Sequence, residues 1–217
     1  GIEGQSFLNH NVVRGLDAAG YCGAIRIFDW TTRLYPLFLV HLRSRMLHRR
    51  AIRKLRQQIV DYCRDYPGRP ISLIGHSGGA GIISLALREL PDDCQVDQVV
   101  LLAAALSPGF NLAASLKHVK HRLWSFYSPY DIAFLAVGTV VCGTIDGKWT
   151  VSGGNCGFHL PDDVTDEDRA LYAERLRQVR FQSDMVPSYN LGEHLGWTSC
   201  VFVAEWIAPL VNSPPQG

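Results

Sequence analysis

The sequence predicts an α/β fold, a three-layer sandwich built on a mostly parallel sheet. Short apolar runs alternate with helix-like stretches along the chain, which is the pattern of repeated strand–helix units. Residues 96–104 are mostly Val, Leu and Ala, as expected for a strand buried on both faces of a parallel sheet. Residues 71–87 read as a strand, a Gly-rich turn and a helix. With 217 residues, 47 % of them hydrophobic, we expect a single domain over residues 1–217.

Periodicity and turn signals place the elements in order. The predicted helices cover residues 6–18, 40–66, 80–90, 111–119, 167–178 and 200–211. The predicted strands cover residues 24–28, 71–74, 96–104, 123–127 and 179–181. Pro67-Gly68 ends the long second helix.

The segment 132–160 departs from the alternation. Residues 137–144 and 148–152 flank Ile145-Asp146-Gly147, and Asp-Gly between extended runs indicates a β-hairpin. We therefore expect a hairpin or loop excursion from the main fold here. Its apolar part, and residues 200–211, are too short to cross a bilayer, so no transmembrane segment is predicted, while peripheral contact with a membrane stays open.

Charge and cysteine content exclude several function classes. The net charge is +1, which gives no reason to expect a nucleic-acid partner. Eight Lys/Arg and no acid lie between Arg33 and Arg56, a pattern that favours a solvated helix face over a surface for nucleic acid or anionic lipid. The six cysteines lack zinc-site spacing, so no metal is predicted; Cys142 and Cys156 are the first candidates for a disulfide.

Gly75-His76-Ser77-Gly78-Gly79 follows the strand at 71–74 and puts a serine at the apex of a sharp turn. Such a turn exposes the hydroxyl to substrate and to a base, and it points backbone N–H groups at a developing oxyanion. A phosphate-binding turn is the alternative, but the Lys-Ser/Thr of a P-loop is missing. Ser77 is thus the candidate nucleophile.

A serine nucleophile needs a base and an acid that orients the base. His194 lies in a loop between the last strand and the last helix, where its side chain would overhang the carboxyl edge of the sheet. His159 is the rival base, and His76 reads as a packing residue. Asp131 follows the strand 123–127 and reaches the same edge; Asp184 is the alternative acid, and Asp146 reads as a turn residue.

The order Ser77, Asp131, His194 and the strand–turn–helix around Ser77 resemble the α/β-hydrolase superfamily, in particular its compact lipase-like and esterase-like serine hydrolases. The resemblance implies hydrolysis of small-molecule or lipid-like carboxylic esters through an acyl-enzyme, with no cofactor. It also implies an oxyanion hole formed by the backbone N–H groups of Ile2 and Gly78. The strands that normally precede the oxyanion loop of that family are absent from this sequence, so we expect an α/β-hydrolase fold that lacks them. Thioesterase, peptidase and acyltransferase activities share this machinery.

Two questions stay open on the sequence alone. Aromatic residues near the predicted site would suit an apolar acyl group or equally the core; they are Phe126, Tyr127, Tyr130, Phe134 and Trp197. A non-catalytic binding or scaffold protein of the same fold is the alternative function, with the basic helix or the 132–160 segment as its contact surface.

Overall fold

The computed structural model of the chain describes residues 6–30, 44–132 and 139–212. The helices are α1 (Phe7–Ala18), α2 (Arg45–Asp65), α3 (Gly78–Leu87), α4 (Ala113–Leu116), α5 (Thr139–Cys142), α6 (Gly153–Cys156) and α7 (Asp166–Arg175). The strands are β1 (Ser72–His76), β2 (Val96–Leu102), β3 (Val119–Tyr127) and β4 (Leu176–Arg180). Two short 3-10 helices (Ser183–Ser188 and Gly196–Thr198) lead to a C-terminal helix made of Cys200–Phe202, a π-helical turn Val203–Ile207 and Ala208–Asn212.

The sheet of the described residues has the order β1-β2-β3-β4, and every neighbouring pair is parallel. Ile74 of β1 pairs with Val100 of β2, which in turn pairs with Trp124 of β3. Since all carboxyl ends of parallel strands lie at one edge, the residues after β1, β2 and β3 meet there. The prediction of an α/β fold with a parallel sheet is confirmed.

Both faces of the sheet are covered. Val99, Val100, Leu101 and Leu102 are all fully buried although successive side chains of a strand point to opposite faces. Helix α3 packs on β1 and contacts α2, while α1 packs against the C-terminal helix. The result is a helix–sheet–helix arrangement, as the uniformly apolar β2 predicts.

Helix α2 shows how local sequence sets an element. Its first turn is capped by the Ser44 side chain, which accepts a hydrogen bond from Leu47 N at 3.3 Å. The buried residues of α2 recur at helical spacing and form its inner stripe: His48, Ala51, Ile52, Leu55 and Ile59. The described part of the long basic helix is therefore amphipathic, with its arginines turned to solvent.

The prediction of a strand at residues 24–28 is wrong. These residues belong to no ladder of the sheet. They line a cavity of about 200 Å³ together with residues of α1, β1 and α3. The apolar side chains that suggested a strand, Ala24, Ile25, Ile27 and Phe28, line this cavity instead.

The predicted hairpin in the 132–160 excursion is also wrong for its described part. Thr139–Cys142 and Gly153–Cys156 are helical, and only the turn between them remains, closed by Thr144 N donating to Lys148 O at 2.8 Å. The Asp146 carboxylate accepts two hydrogen bonds from Ser107, one from the backbone N at 2.9 Å and one from the side-chain Oγ at 2.5 Å. The Asp-Gly turn is thus anchored to the loop after β2 rather than flanked by strands.

Smaller differences concern helix ends and cysteines. The helix expected at 111–119 is reduced to Ala113–Leu116, because Val119 already belongs to β3. All six cysteines are free thiols, so the candidate pair Cys142 and Cys156 is not bonded.

Candidate active site

The strand–turn–helix around Ser77 forms a strained elbow. Ser77 has φ 55° and ψ −120°, a positive φ that a non-glycine residue adopts only when its surroundings impose it. Its N–H donates to Leu102 O at 2.9 Å, and its carbonyl accepts from Ala80 N at 3.1 Å and Ala105 N at 3.2 Å. These three bonds tie the elbow to the end of β2 and the start of α3.

Gly75 allows this close approach of β1 and α3. A Cβ at Gly75 would lie 2.9 Å from backbone atoms of Ala80 and 2.7 Å from Ile83 Cδ1. Contacts below 3.0 Å to a backbone are not tolerated without a shift of the helix. The glycine before the elbow is therefore a steric requirement.

Asp131 lies just beyond β3, in a turn that is held from two sides. Within the turn, Asp131 N donates to Ser128 O at 3.2 Å, and Tyr130 N donates to Ser128 Oγ at 3.1 Å. From α6, Asn155 Nδ2 donates to the carbonyls of Ser128 and Asp131, each at 3.2 Å. The Asp131 side chain is buried, so its position is fixed at the carboxyl edge of the sheet.

His194 lies in the loop between the two 3-10 helices and meets Asp131. His194 Nδ1 is 2.6 Å from Asp131 Oδ2, and both side chains are buried. An Nδ1–H that donates to a carboxylate leaves Nε2 as the basic nitrogen of a neutral imidazole. A buried carboxylate–imidazole pair of this kind orients the ring and stabilises its protonated form.

The loop that carries His194 is braced by its own polar side chains. Asn190 Oδ1 accepts from Gly192 N at 2.9 Å, and Glu193 Oε2 accepts from Leu191 N at 3.0 Å. Gly192 has φ 82°, and a Cβ there would lie 2.8 Å from Ser128 Oγ. The loop is thus packed directly on the turn that presents Asp131.

His76 connects the elbow to this loop. Its Nε2 is 2.9 Å from His194 O, and the two imidazole rings have centroids 4.6 Å apart. Burial, and secondarily the neighbouring His194, hold the pKa of His76 well below its ordinary value of 6.5. A neutral His76 with its proton on Nε2 therefore donates to the His194 carbonyl. The sequence interpretation of His76 as a packing residue missed this link, although its position next to Ser77 is the signal that points to it.

Ser77 and His194 are brought to the same edge through His76. Among the side-chain hydrogen bonds of residues 6–30, 44–132 and 139–212, none involves the Ser77 hydroxyl. Catalytic hydrogen bonds are often long before substrate binds and shorten in the complex. The geometry joins Asp131 to His194 directly and Ser77 to His194 through one intervening residue.

One of the two oxyanion donors expected from the resemblance lies within the described residues. Gly78 is the first residue of α3, where a backbone N–H has no acceptor within the helix. The positive end of the helix dipole reinforces this N–H as an anion-binding group. Ile2, the other expected donor, lies outside the described residues.

The rival residues lie in other settings. His159 is exposed, and Asp184 is exposed in the first 3-10 helix. The Asp146 carboxylate accepts a hydrogen bond from Ser107 N at 2.9 Å. Of the aromatic residues, Phe126 and Trp197 are buried and pack together in the core, Tyr130 is exposed, and Phe134 lies outside the described residues.

The described residues contain no group of three or more His, Cys, Asp or Glu that could hold a metal ion. In the same part of the chain, no helix has the length and apolarity needed to cross a membrane.

A family model described as alpha/beta hydrolase matches residues 6–135, more than half of the 217-residue chain. The chain belongs to the alpha/beta hydrolase family. No curated protein and no solved structure matches the chain significantly. The part matched by the alpha/beta hydrolase model contains Ser77 and Asp131 and ends before His194.

Proposed function

We propose that this alpha/beta hydrolase is a serine hydrolase that cleaves carboxylic esters with Ser77, His194 and Asp131 as its catalytic triad. The observation that carries the proposal is the buried contact of 2.6 Å between His194 Nδ1 and Asp131 Oδ2, beside a strained serine elbow. A carboxylate on one ring nitrogen leaves the other nitrogen able to take a proton from a serine hydroxyl.

In the proposed mechanism, His194 Nε2 removes the Ser77 proton as Oγ attacks the acyl carbonyl. Asp131 keeps the imidazole in the required tautomer and stabilises the imidazolium that forms. His194 then returns the proton to the leaving alcohol, which gives an acyl-enzyme on Ser77. A water molecule repeats the sequence and releases the acid.

The negative charge of each tetrahedral intermediate falls on the carbonyl oxygen. The proposed donors to this oxygen are the N–H groups of Gly78 and Ile2. Loss of one such donor lowers kcat by about 10² to 10³, or about 3 kcal/mol. The start of α3 supports the assignment of Gly78, since its N–H has no helical acceptor.

The strain at Ser77 is consistent with this role. A non-glycine residue at φ 55° costs of order 1–3 kcal/mol, and the surrounding bonds to Leu102, Ala80 and Ala105 supply the constraint that maintains it. Strain of this kind holds a serine at the apex of a strand-to-helix turn, and Ser77 is buried at this apex, with 5 % of its surface exposed.

The experiment compares the wild-type protein with Ser77→Ala on p-nitrophenyl esters of short acids. The proposal expects hydrolysis by the wild type and a loss of at least about 10³ in kcat/KM for Ser77→Ala. Ser183→Ala, an exposed serine in the first 3-10 helix, is the matched control and should retain full activity. Equal activity of wild type and Ser77→Ala would reject Ser77 as the nucleophile.

A non-catalytic binding protein of the same fold is the second candidate. The observation in its favour is that the Ser77 hydroxyl forms no hydrogen bond within the described ranges. A fluorophosphonate probe separates the two candidates, because it reacts with an activated serine and leaves an inert one unlabelled.

A further inference from the structure

Large apolar side chains are exposed around the proposed triad. Five of them lie on the two loops that carry Asp131 and His194, and we call them the apolar rim: Tyr130, Ile132, Tyr189, Leu191 and Leu195, with exposed fractions of 62, 59, 73, 65 and 46 %. Isolated exposed apolar residues are normal on a protein surface, but several around one site indicate an interaction surface.

The two loops form one continuous surface. The rings of Tyr130 and Phe181 are in edge contact, with centroids 5.7 Å apart. Gly192 lies against both Ser128 and Phe181, where a Cβ would meet their side chains at 2.8 and 2.9 Å. The apolar rim therefore lies on two loops that pack on each other and that carry the Asp131–His194 contact.

A basic surface lies on the first turns of α2. Arg45, Arg49 and Arg50 are exposed on the first turns of α2, together with Met46, which is 76 % exposed. The chain has no acidic residue between Arg33 and Arg56. We call Arg45, Arg49 and Arg50 the basic edge.

The basic edge reaches the carboxyl edge of the sheet through the turn that contains Gly147. A Cβ at Gly147 would lie 3.2 Å from the Arg45 guanidinium. The same turn is bound to the loop after β2, since Ile145 N donates to Ala105 O at 2.9 Å. Ala105 N in turn donates to Ser77 O at 3.2 Å, so a chain of direct contacts joins the basic edge to the elbow.

From this arrangement we infer that the carboxyl edge of the sheet docks on an anionic phospholipid bilayer and that the substrate is a lipid ester drawn from it. This inference rests on the proposed function for its substrate, but the docking can be tested without turnover. The apolar rim would enter the region between headgroups and acyl chains, and the basic edge would contact anionic headgroups. Docking at this edge would bring an ester of the bilayer to the elbow that carries Ser77.

Charge and composition favour a lipid surface over other partners. Arginines next to exposed aliphatic side chains suit a surface that is anionic outside and apolar inside. No aromatic residue lies between Phe38 and Tyr62, so the basic edge lacks the stacking groups that single-stranded nucleic acid requires. Lipid chemistry thus accounts for both halves of the surface.

The docking test uses the Ser77→Ala protein, which binds without consuming lipid, and sedimentation with vesicles. Vesicles of phosphatidylcholine with phosphatidylserine should bind more protein than vesicles of phosphatidylcholine alone. Leu191→Ser combined with Leu195→Ser should lower the partition coefficient about tenfold or more on both kinds of vesicle. Arg49→Gln and Arg50→Gln should each lower it about fivefold, and only on the anionic vesicles.

Two matched controls lie at the far end of α2. Tyr66→Ser removes an exposed tyrosine, and Arg64→Gln removes an exposed arginine, both about 30 Å along the helix from Arg45. The inference expects neither to change vesicle binding, whereas Tyr189→Ser should weaken it. Equal effects of Tyr66→Ser and Tyr189→Ser would overturn the docking surface.

Docking and catalysis can fail separately. If the wild type hydrolyses soluble p-nitrophenyl esters but Ser77→Ala binds neither kind of vesicle, the docking inference is overturned and the proposed function stands. If vesicles are bound but no ester is cleaved, the surface stands and the proposed function fails. Self-association that the Leu191→Ser and Leu195→Ser changes abolish, without vesicle binding, would assign the apolar rim to a dimer and overturn the lipid surface. So would binding of single-stranded DNA by the basic edge in the absence of vesicle binding.

Discussion

Replacing Asp131 by Asn separates the charge of the proposed acid from its shape. The carboxylate is buried and lies 2.6 Å from His194 Nδ1. An imidazolium and a carboxylate with charges about 4 Å apart attract by about 4 kcal/mol at an effective dielectric constant of about 20. That interaction exists only when His194 is protonated, so its loss raises the barrier and lowers the rate by about 10³.

The amide also changes the tautomer. An Asn side chain can donate to Nδ1, which puts the proton of His194 on Nε2 and removes the base that Ser77 needs. The combined effect should be a fall in kcat of about 10⁴. Because Asn keeps the shape of Asp and removes a buried charge, the free energy of unfolding should change by less than about 2 kcal/mol.

The assay measures kcat on a soluble p-nitrophenyl ester together with the denaturant midpoint of each variant. Asp162→Asn, an exposed aspartate, is the matched control and should behave as the wild type in both measurements. A folded Asp131→Asn protein whose kcat lies within about tenfold of the wild type would show that the base works without a carboxylate, and Asp131 would lose its proposed role.

Three further predictions concern stability. Burial lowers the pKa of His76 well below 6.5, so His76 stays neutral in the folded protein while the unfolded chain takes up a proton as the pH falls below about 6.5. The free energy of unfolding of the wild type should therefore fall with pH by up to about 1.4 kcal/mol per pH unit, and His76→Gln should remove this dependence. Denaturant unfolding at pH 7.5 and 5.5 measures the slope, and an equal slope in the two proteins would contradict the prediction. Gly75→Ala should lower the free energy of unfolding by about 1–3 kcal/mol because the new Cβ meets α3. Gly109→Ala should lower it less, since no atom lies within 4 Å of a Cβ there. Similar denaturant midpoints for the two variants would argue against the close approach of β1 and α3. Asp146→Ala should lower the free energy of unfolding by about 1.5–3 kcal/mol, because it removes the acceptor of the Ser107 N–H and hydroxyl. Asp162→Ala is the control and should leave the free energy of unfolding unchanged. An unchanged denaturant midpoint in Asp146→Ala would mean that the turn is not anchored by this carboxylate.

The fold and the elbow could be predicted because local sequence and tertiary structure agree there. The apolar residues of β2 have one suitable environment, a parallel sheet covered on both faces. Residues 71–87 contain a short strand, a tight turn with Gly75 and Ser77, and a helix, so all the signals for the elbow lie within 17 residues. The positions of Asp131 and His194 followed from a single rule, that loops after parallel strands meet at one edge.

The errors arose where distant contacts override local signals. Asp146-Gly147 predicts a hairpin, but the Asp146 carboxylate bonds Ser107, 39 residues away, and the flanking residues form short helices. Residues 24–28 have the composition of a strand, yet they pair with none of the described strands and line a cavity with residues of α1, β1 and α3. His76 is a buried packing residue as the sequence predicts, but its hydrogen bond to the His194 carbonyl, 118 residues further along the chain, has no local signal.

The central claim is that the hydroxyl of Ser77 is activated by the His194–Asp131 pair. Its most direct measurement is mass spectrometry of the intact protein and its peptides after reaction with a fluorophosphonate. The account predicts one adduct per chain, on the peptide that contains Ser77, and no adduct in Ser77→Ala or His194→Ala. An adduct on another residue, or labelling of Ser77 that persists at the same rate in His194→Ala, would contradict it.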